Sequence, residues 1–291
     1  MVDAPVGLPP PTVSLCVICH DRPGELIATL ESASTEAWHE ILVLDMASEP
    51  PLGPIRGATV FRSATNIGPA AGRNRLAERA SGELLVFLDD DVVLRTPVLG
   101  RVRELFATNP RLTIVAFKVH REGGVIESKE YPFRGAVANE DNARPCAYFV
   151  SAGYACRKMS VEAVGGYEEA MFIYCEELEL SFSVLAKGGT LWYEPSIAVE
   201  HRPSANGRSA VIPANTVRNR ILIVRRYLPP VVQPVHLTVW FVITAVQAKR
   251  AKAMRAWASS FIAGWRLPVS RRVIPWRQLI RIHRMGGRVF Y

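Results

Sequence analysis

Three consecutive carboxylates follow an apolar segment of the chain. Residues 83–94 read ELLVFLDDDVVL, in which a run typical of a buried strand ends in Asp89, Asp90 and Asp91. Unpaired buried charge is costly, so clustered acids at such a point require a cation or a proton. Hard divalent ions such as Mg²⁺ or Mn²⁺ prefer oxygen ligands and commonly bridge phosphates. The triplet therefore predicts a metal and phosphate site, although an isolated triplet is more often a solvated acidic loop.

The segments that position the triplet alternate between strand and helix patterns. Predicted strands are Val13–Cys19, Ile41–Leu44, Ala58–Arg62 and Leu84–Leu88, and predicted helices are Gly24–Ser34 and Ala70–Ala80. This rhythm indicates an α/β fold with a Rossmann-like, mostly parallel sheet flanked by helices. Ligands of such sheets bind beyond the carboxyl ends of the strands. Asp45, the His20-Asp21-Arg22 turn and the triplet all lie at those ends, which predicts one shared site.

A second group of acids opens a predicted helix over Glu176–Lys187, within the more irregular segment Leu112–Glu200. Glu176, Glu177 and Glu179 lie in its first turn. Acids there are favoured by the helix dipole, so a solvated helix start is the simple explanation. The functional alternative is a general base that removes a proton from a reacting hydroxyl.

Three shorter elements are predicted in the same segment. Ser160 is a candidate N-cap of a short helix that stops at Gly165-Gly166. Short strands at Thr190–Tyr193 and Ile197–Val199 follow, and the second of them leads into Glu200 and His201.

Charge is distributed unevenly along the chain. From His201 onward there are 17 lysines and arginines and no acid, whereas residues 1–200 carry 18 basic residues and all 27 acidic ones, a net charge of −9. Such asymmetry predicts two regions with different tasks.

Five cysteines and no recognisable signal peptide predict reduced thiols and a cytoplasmic protein. Cys16 and Cys19 form a CxxC, but they lie in a strand pattern and no second pair has zinc spacing. We therefore interpret them as core residues.

Six segments, in order, resemble those of the family 2 glycosyltransferases, which have the GT-A fold. VSLCVICHDRP is similar to the first strand and nucleotide-contacting turn of that family, EILVLDMAS to its second strand, and NIGPAAGRN to the segment in which an arginine approaches the base. FLDDDV resembles its DxD motif, GGYEEAMFIYCEELELS its acceptor-side block, and VEHR the segment that supplies a metal-binding histidine. The resemblance covers about Val13–Arg226.

The resemblance implies roles for individual residues. Asp91 and His201 would hold the metal, and Glu177 would be the catalytic base, with Glu176 and Glu179 beside it on the acceptor side. The donor-binding group would comprise the polar residues near the carboxyl edge of the sheet: His20, Arg22, Asp45, Arg73, Asp89 and Asp90.

Two positions depart from the family pattern. Met46 replaces a polar residue after the second strand, which puts contacts around the ribose in doubt. The acidic pair of the acceptor block is Glu176-Glu177, so the base is a glutamate, one methylene longer than the usual aspartate.

The implied activity is inverting transfer of a sugar from a nucleotide diphosphate donor to an acceptor hydroxyl, with Mn²⁺ or Mg²⁺ as cofactor. The acceptor is a saccharide, a lipid-linked glycan or a small molecule, and a histidine ligand favours Mn²⁺. A sugar nucleotidyltransferase would carry a glycine-rich loop where the chain reads CHDRPGE, and a haloacid dehalogenase-type phosphatase would need its acidic motif after the first strand. A catalytically degenerate, nucleotide-binding scaffold at a membrane is the remaining alternative.

We predict a catalytic domain over 12–226, with a donor half (12–110) and an acceptor half (111–226), and a basic amphipathic helical tail over 227–291. Within the tail, 231–247 is apolar but short and interrupted by polar residues, which favours a buried or interfacial helix over a membrane span. The segment Met254–Trp265 has amphipathic helical spacing.

Arginines in the tail form a stripe at helical spacing: Arg277, Arg281, Arg284 and Arg288. Four of the six tryptophans also lie in this tail. Basic residues interleaved with tryptophan suit an anionic membrane surface, here the inner face of the cell membrane. Alternatively the tail packs on the domain, with its arginines solvated or paired with the acidic half. No nucleic-acid-binding motif is recognised, so no such partner is predicted.

Overall fold

The parallel strands of the first hundred residues establish the sheet that carries the acidic triplet. The structure is a computed structural model that describes residues 9–135, 137–203, 211–287 and 289. Its strands are β1 Val13–Cys19, β2 Glu40–Met46, β3 Thr59–Ser63, β4 Leu84–Asp89, β5 Val92–Leu94, β6 Leu112–His120, β7 Arg144–Cys146, β8 Gly153–Arg157 and β9 Thr190–His201. Its helices are α1 Pro23–Ala33, α2 Gly68–Arg79, α3 Leu99–Thr108, α4 Lys158–Glu162, α5 Glu176–Ala186, α6 Val211–Tyr227, α7 Gln233–Arg250, α8 Met254–Arg266 and α9 Trp276–Arg284.

The described strands form one nine-stranded sheet in the order β3-β2-β1-β4-β8-β6-β9-β5, with β7 paired to β9. Pairing is parallel from β3 to β4 and between β6 and β9, and antiparallel where β8 or β5 joins. The predicted α/β class with flanking helices is confirmed. Parallel pairing dominates residues 12–110, whereas residues 111–226 contribute mixed pairing because β8 enters the sheet antiparallel between β4 and β6.

Side chains of β1 divide between two cores, one on each face of the sheet. Cys16 and Ile18 belong to the core that also contains α5 and α6 residues, and Cys19 belongs to the core under α1 and α3. Because alternate residues of a strand face opposite sides, Cys16 and Cys19 cannot meet. Both are buried free thiols, which agrees with their interpretation as core residues.

The prediction of two strands before His201 was wrong, because β9 is one strand of 12 residues. Its register against β6 shifts between Phe117 and Lys118, where Glu194 is followed by Ala198 in the pairing. Glu194 is buried there and binds Arg101 at 2.7 Å. Because the bulge buries a charged residue, it interrupts the apolar pattern of the strand, and the sequence therefore predicted two short strands.

The helices after Tyr227 pack on the preceding part of the chain through one face each. Ile274, Leu279, Ile282 and Val289 join the same buried core as residues of α5 and α6. Trp257 of α8 packs against α6 and α7. Across the described ranges, no helix has both the length and the apolar character needed to cross a bilayer.

Candidate active site

The register of β5 and β9 brings the acidic triplet together with a distant histidine. Val92 pairs with His201, and the amide of Arg202 donates to the carbonyl oxygen of Asp91 at 2.8 Å. Ligand atoms of Asp89, Asp91 and His201 consequently lie within 4.8 Å of one another. Residues more than a hundred positions apart thus form a single cluster with metal-binding groups.

His201 is held from both sides of its ring. Its Nε2 lies 3.2 Å from Oδ1 of Asp91, and its Nδ1 lies 2.7 Å from Oε1 of Glu130. Glu130 is buried and is itself paired with Arg121 at 2.7 Å. Burial lowers the pKa of His201, but the two carboxylates outweigh it and raise that pKa to about 9. Sequence reasoning missed Glu130 because it lies in a short 3₁₀ turn without a readable pattern.

Arg22 neutralises the same acids from the turn after β1. Its Nη1 lies 2.5 Å from Asp91 and 3.4 Å from Asp90. Burial raises the pKa of Asp90 to about 7, with the Asp91 charge adding to it. Although burial opposes ionisation of Asp91 too, the His201 hydrogen bond and Arg22 lower its pKa. The main-chain amide of His20 completes this group with a 3.3 Å hydrogen bond to Asp90.

Arg73 joins the acidic triplet to the acids at the start of α5. It is buried in α2 and binds Asp89 at 2.7 Å and Glu176 at 3.7 Å. Burial, followed by repulsion from Glu177, raises the pKa of Glu176 well above its usual value. The sequence predicted that Arg73 approaches the nucleobase, and the structure places its guanidinium between the two groups of carboxylates.

Asp45 at the end of β2 is fully enclosed. It accepts hydrogen bonds from the amides of Ser48 at 2.7 Å and Leu52 at 3.2 Å, and it pairs with Arg62. Burial would raise its pKa, but these donors lower it. Arg62 was not singled out in the sequence, and its half-exposed side chain covers the carboxylate.

Glu177 is the second residue of α5, which follows a loop of unusual backbone shape. Phe172, Tyr174 and Cys175 have positive φ angles of 59°, 69° and 67°. Residues other than glycine rarely adopt this backbone conformation. Each one costs about 1 kcal/mol or more, and it persists only when the surrounding structure holds it in place. The structure therefore needs a restraint on residues 171–175.

Asn219 of α6 provides that restraint. Its buried Nδ2 donates to the carbonyl oxygens of Met171 at 3.0 Å, Ile173 at 3.0 Å and Tyr174 at 2.6 Å. Gly68 at the start of α2 allows the loop to approach, since a Cβ there would lie 2.6 Å from the ring of Phe172. The base candidate is thus positioned by residues from two distant helices.

The sequence profile of glycosyl transferase family 2 matches residues 14–162, about half of the chain. The chain belongs to glycosyl transferase family 2. The predicted family and enzyme class are thereby confirmed. The match ends before Glu177 and His201, so those residues are placed by the structure and not by the profile.

Relatives and solved structures agree with this family. An uncharacterized protein of Haemophilus influenzae is 29% identical over 179 residues, which cover 53% of this chain and 91% of that protein. The pre-mycofactocin glycosyltransferase of Mycobacterium tuberculosis is 28% identical over 144 residues, 46% of this chain and 30% of that enzyme. A crystal structure of GalNAc-T7 with UDP, GalNAc and Mn²⁺ superposes with a TM-score of 0.64 at 14% identity, covering 88% of this chain and 56% of the other. That likeness shows the GT-A fold.

Two residues of this family 2 member contribute to packing. Met46 is buried in the core, where its Sδ would lie 3.0 Å from a Cβ on Gly72. The non-polar replacement thus faces α2 rather than the ends of the strands. Glu179 faces α6, where it binds Tyr227 at 2.6 Å and Arg226 at 2.7 Å. Burial raises the pKa of Glu179 despite these partners.

The donor set of the cluster fits a divalent cation. Two carboxylates and one imidazole are ligands that Mn²⁺ accepts readily. Glu130 on the far ring nitrogen directs Nε2 of His201 toward the acids, an arrangement common among metal-binding histidines. A metal at this place would meet ligands that are already oriented.

Proposed function

We propose that this protein is an inverting, metal-dependent glycosyltransferase that uses a nucleotide diphosphate sugar. The observation that carries the proposal is the cluster of Asp89, Asp91 and His201, whose ligand atoms lie within 4.8 Å. Arg73 links this cluster to the acids that begin α5. A cation site beside the buried Glu176 and the partly exposed Glu177 suits a reaction in which a diphosphate leaves and a hydroxyl loses its proton.

Asp89, Asp91 and His201 are assigned to the metal, with Mn²⁺ preferred because of the imidazole ligand. When bound, the metal would stabilise the negative charge that develops on the departing diphosphate. The turn residues His20 and Arg22 lie beside this diphosphate region, and Asp90 orients them through its contacts.

Asp45 and Arg73 are assigned to the nucleoside side of the donor. Because Arg62 covers Asp45, a nucleobase or ribose that reaches this carboxylate also meets Arg62.

Glu177 is assigned the role of general base. It takes the proton of the acceptor hydroxyl while that oxygen forms a bond to the anomeric carbon. The bond between the anomeric carbon and the diphosphate oxygen breaks, and the electron pair leaves with the nucleoside diphosphate. Attack from the opposite face inverts the anomeric configuration. The raised pKa of Glu176 favours its protonated form, which limits repulsion with Glu177 on the acceptor side.

A panel of nucleotide sugars, assayed for Mn²⁺-dependent release of nucleoside diphosphate, tests the proposal. We expect one donor to be turned over and Asp91→Asn to abolish the Mn²⁺-dependent rate. Asp141→Asn is the matched control, since this carboxylate is exposed and pairs with Lys118. Nucleotide binding without turnover of any donor would favour a degenerate scaffold instead.

We further propose a catalytic domain over 12–226 and a tail over 227–291 that contacts an anionic membrane surface. Leu279 and Ile282 of α9 are buried, whereas Trp276, Ile280 and the arginines of this helix are exposed. The arginines of the predicted stripe are therefore exposed on the outer face of α9. Arg288 is the exception, because it lies outside the described residues. Packing on the domain and contact with a membrane thus use opposite faces of one helix.

Vesicle co-sedimentation tests the membrane contact. The triple substitution Arg277→Gln, Arg281→Gln and Arg284→Gln preserves the buried face and should lower binding to anionic vesicles. A control protein that loses the same three positive charges at the exposed Arg56, Arg111 and Lys187 should bind anionic vesicles as the wild type does. Equal binding of all three proteins to anionic vesicles would contradict the assignment.

A further inference from the structure

Ser151 lies between the donor acids and Glu177, although it belongs to no sequence motif. It directly precedes Ala152, whose carbonyl oxygen accepts the amide of Asp89 at 3.2 Å. Gly153, the next residue, pairs with Leu88 as β8 begins. Ser151 is therefore fixed beside the end of the strand that carries the acidic triplet.

The hydroxyl of Ser151 donates to the side chain of Glu177. The distance from its Oγ to Oε1 of Glu177 is 2.7 Å, and the serine is buried with 8% exposure. One carboxylate oxygen is thereby engaged by the serine, and the other is left to accept a proton.

A glutamate side chain has one more rotatable bond than an aspartate side chain, so a contact is needed to fix the orientation of its carboxylate. Asn219 and the loop before α5 fix the main chain of Glu177, but they do not fix its terminal torsion, which is intrinsically broad. A general base acts only within hydrogen-bond reach of the hydroxyl it deprotonates. A displacement of about 1 Å can reduce a rate about a hundredfold.

We propose that Ser151 is a positioning residue that holds the carboxylate of Glu177 toward the acceptor. It compensates for the methylene that distinguishes this base from an aspartate. Because Ser151 and Ala152 are adjacent, a single dipeptide contacts both Glu177 and Asp89, and this sets the base relative to the donor acids. The inference rests on the proposed function, specifically on Glu177 as the base.

Steady-state kinetics with the donor identified by the panel tests this role. We expect Ser151→Ala to lower kcat about 10- to 100-fold while the KM for the donor is unchanged, because only the orientation of the base is lost. Ser151→Thr retains the hydroxyl and should restore most of kcat. The matched control is Ser181→Ala, since the Ser181 hydroxyl donates to the main-chain oxygen of the same Glu177 at 2.6 Å.

A double-mutant cycle sharpens the test. In Glu177→Asp the shorter side chain no longer reaches Ser151, so adding Ser151→Ala should lower kcat less than twofold further. Ser151→Cys, with similar volume and a weaker donor, should give an intermediate kcat and replaces Ser151→Ala if that variant unfolds.

Wild-type kcat in Ser151→Ala, or fully additive effects in the cycle, would overturn the positioning role. An equal loss in Ser181→Ala would do the same. Failure of the proposed function gives a different result, because Glu177→Gln would then retain turnover whatever stands at position 151.

Discussion

The sheet-bearing part of the chain up to Pro203 and the helices from Val211 onward stabilise their charges in different ways. In the first region buried charges pair with each other, as Asp91 does with Arg22 and Glu194 with Arg101. In the second region Arg225 and Arg220 use main-chain oxygens and an aromatic ring instead. Arg225 donates to the carbonyl oxygens of Gly264 and Leu267, each at 3.0 Å, and Arg220 lies 3.7 Å above Trp240.

Arg226 connects the two regions through ion pairs with Glu168 and Glu179. Beyond Tyr227, no lysine or arginine within the described ranges pairs with a carboxylate. Other buried acids of the first region are paired within that region, whereas the arginines of α9 are exposed. The comparison separates charge that is paired inside the molecule from charge that is exposed on its surface.

The largest expected effect distinguishes the two regions by activity. Glu177→Gln should lower turnover about a thousandfold, within the usual range for loss of a general base, and leave donor affinity nearly unchanged. The triple arginine variant of α9 should keep wild-type turnover with a soluble acceptor. Product formation and donor binding measured on both variants provide the check, and a comparable loss in the tail variant would remove the distinction.

A smaller effect is expected at the connection between the regions. Arg226→Met leaves the buried carboxylate of Glu179 without its cation, which should cost about 3 kcal/mol of unfolding free energy. In a Glu179→Gln background the same substitution should cost clearly less. Denaturant unfolding of the four proteins measures the coupling, and equal costs in both backgrounds would show that the pair contributes nothing.

The tail should also respond to acid through His236. This buried side chain binds the carbonyl oxygen of Val289 at 2.9 Å, and burial lowers its pKa to about 4. The unfolded chain takes up the proton below about pH 6.5, so stability should fall by up to about 3 kcal/mol as the pH drops from 6.5 to 4.

His236→Gln keeps a donor for Val289 without titrating, so it should flatten that pH dependence. Tryptophan fluorescence reports the change, because Trp240 lies 6.4 Å from His236. An unchanged acid transition in the variant would assign it to other groups.

The smallest effect concerns the outward face of α9. Trp276→Ala should change stability by less than about 0.5 kcal/mol, because the side chain is exposed. Leu279→Ala should cost about 2–5 kcal/mol, since Leu279 is fully buried. Chemical denaturation distinguishes them, and a large cost at Trp276 would show that this face is covered.

Local patterns were sufficient to predict much of this molecule. The apolar run before Asp89 marked β4, and the alternation of strands and helices marked the donor half. His201 could be predicted only through the family resemblance, because its neighbours in space come from residues 89–91. Glu130, Ser151 and Asn219 could not be predicted, since their roles depend on hydrogen bonds between segments far apart in sequence. The bulge at Glu194 concealed the continuity of β9 for the same reason.

The position of Asn219 has a consequence for how far this enzyme can be shortened. The residue that shapes the loop before α5 comes after the whole sheet in the chain. A truncated protein that stops before α6 would lack the amide that fixes residues 171–175, even with every strand present. We therefore expect the smallest active fragment to extend beyond position 219, and a nascent chain to complete the start of α5 only after synthesis of the sheet is finished.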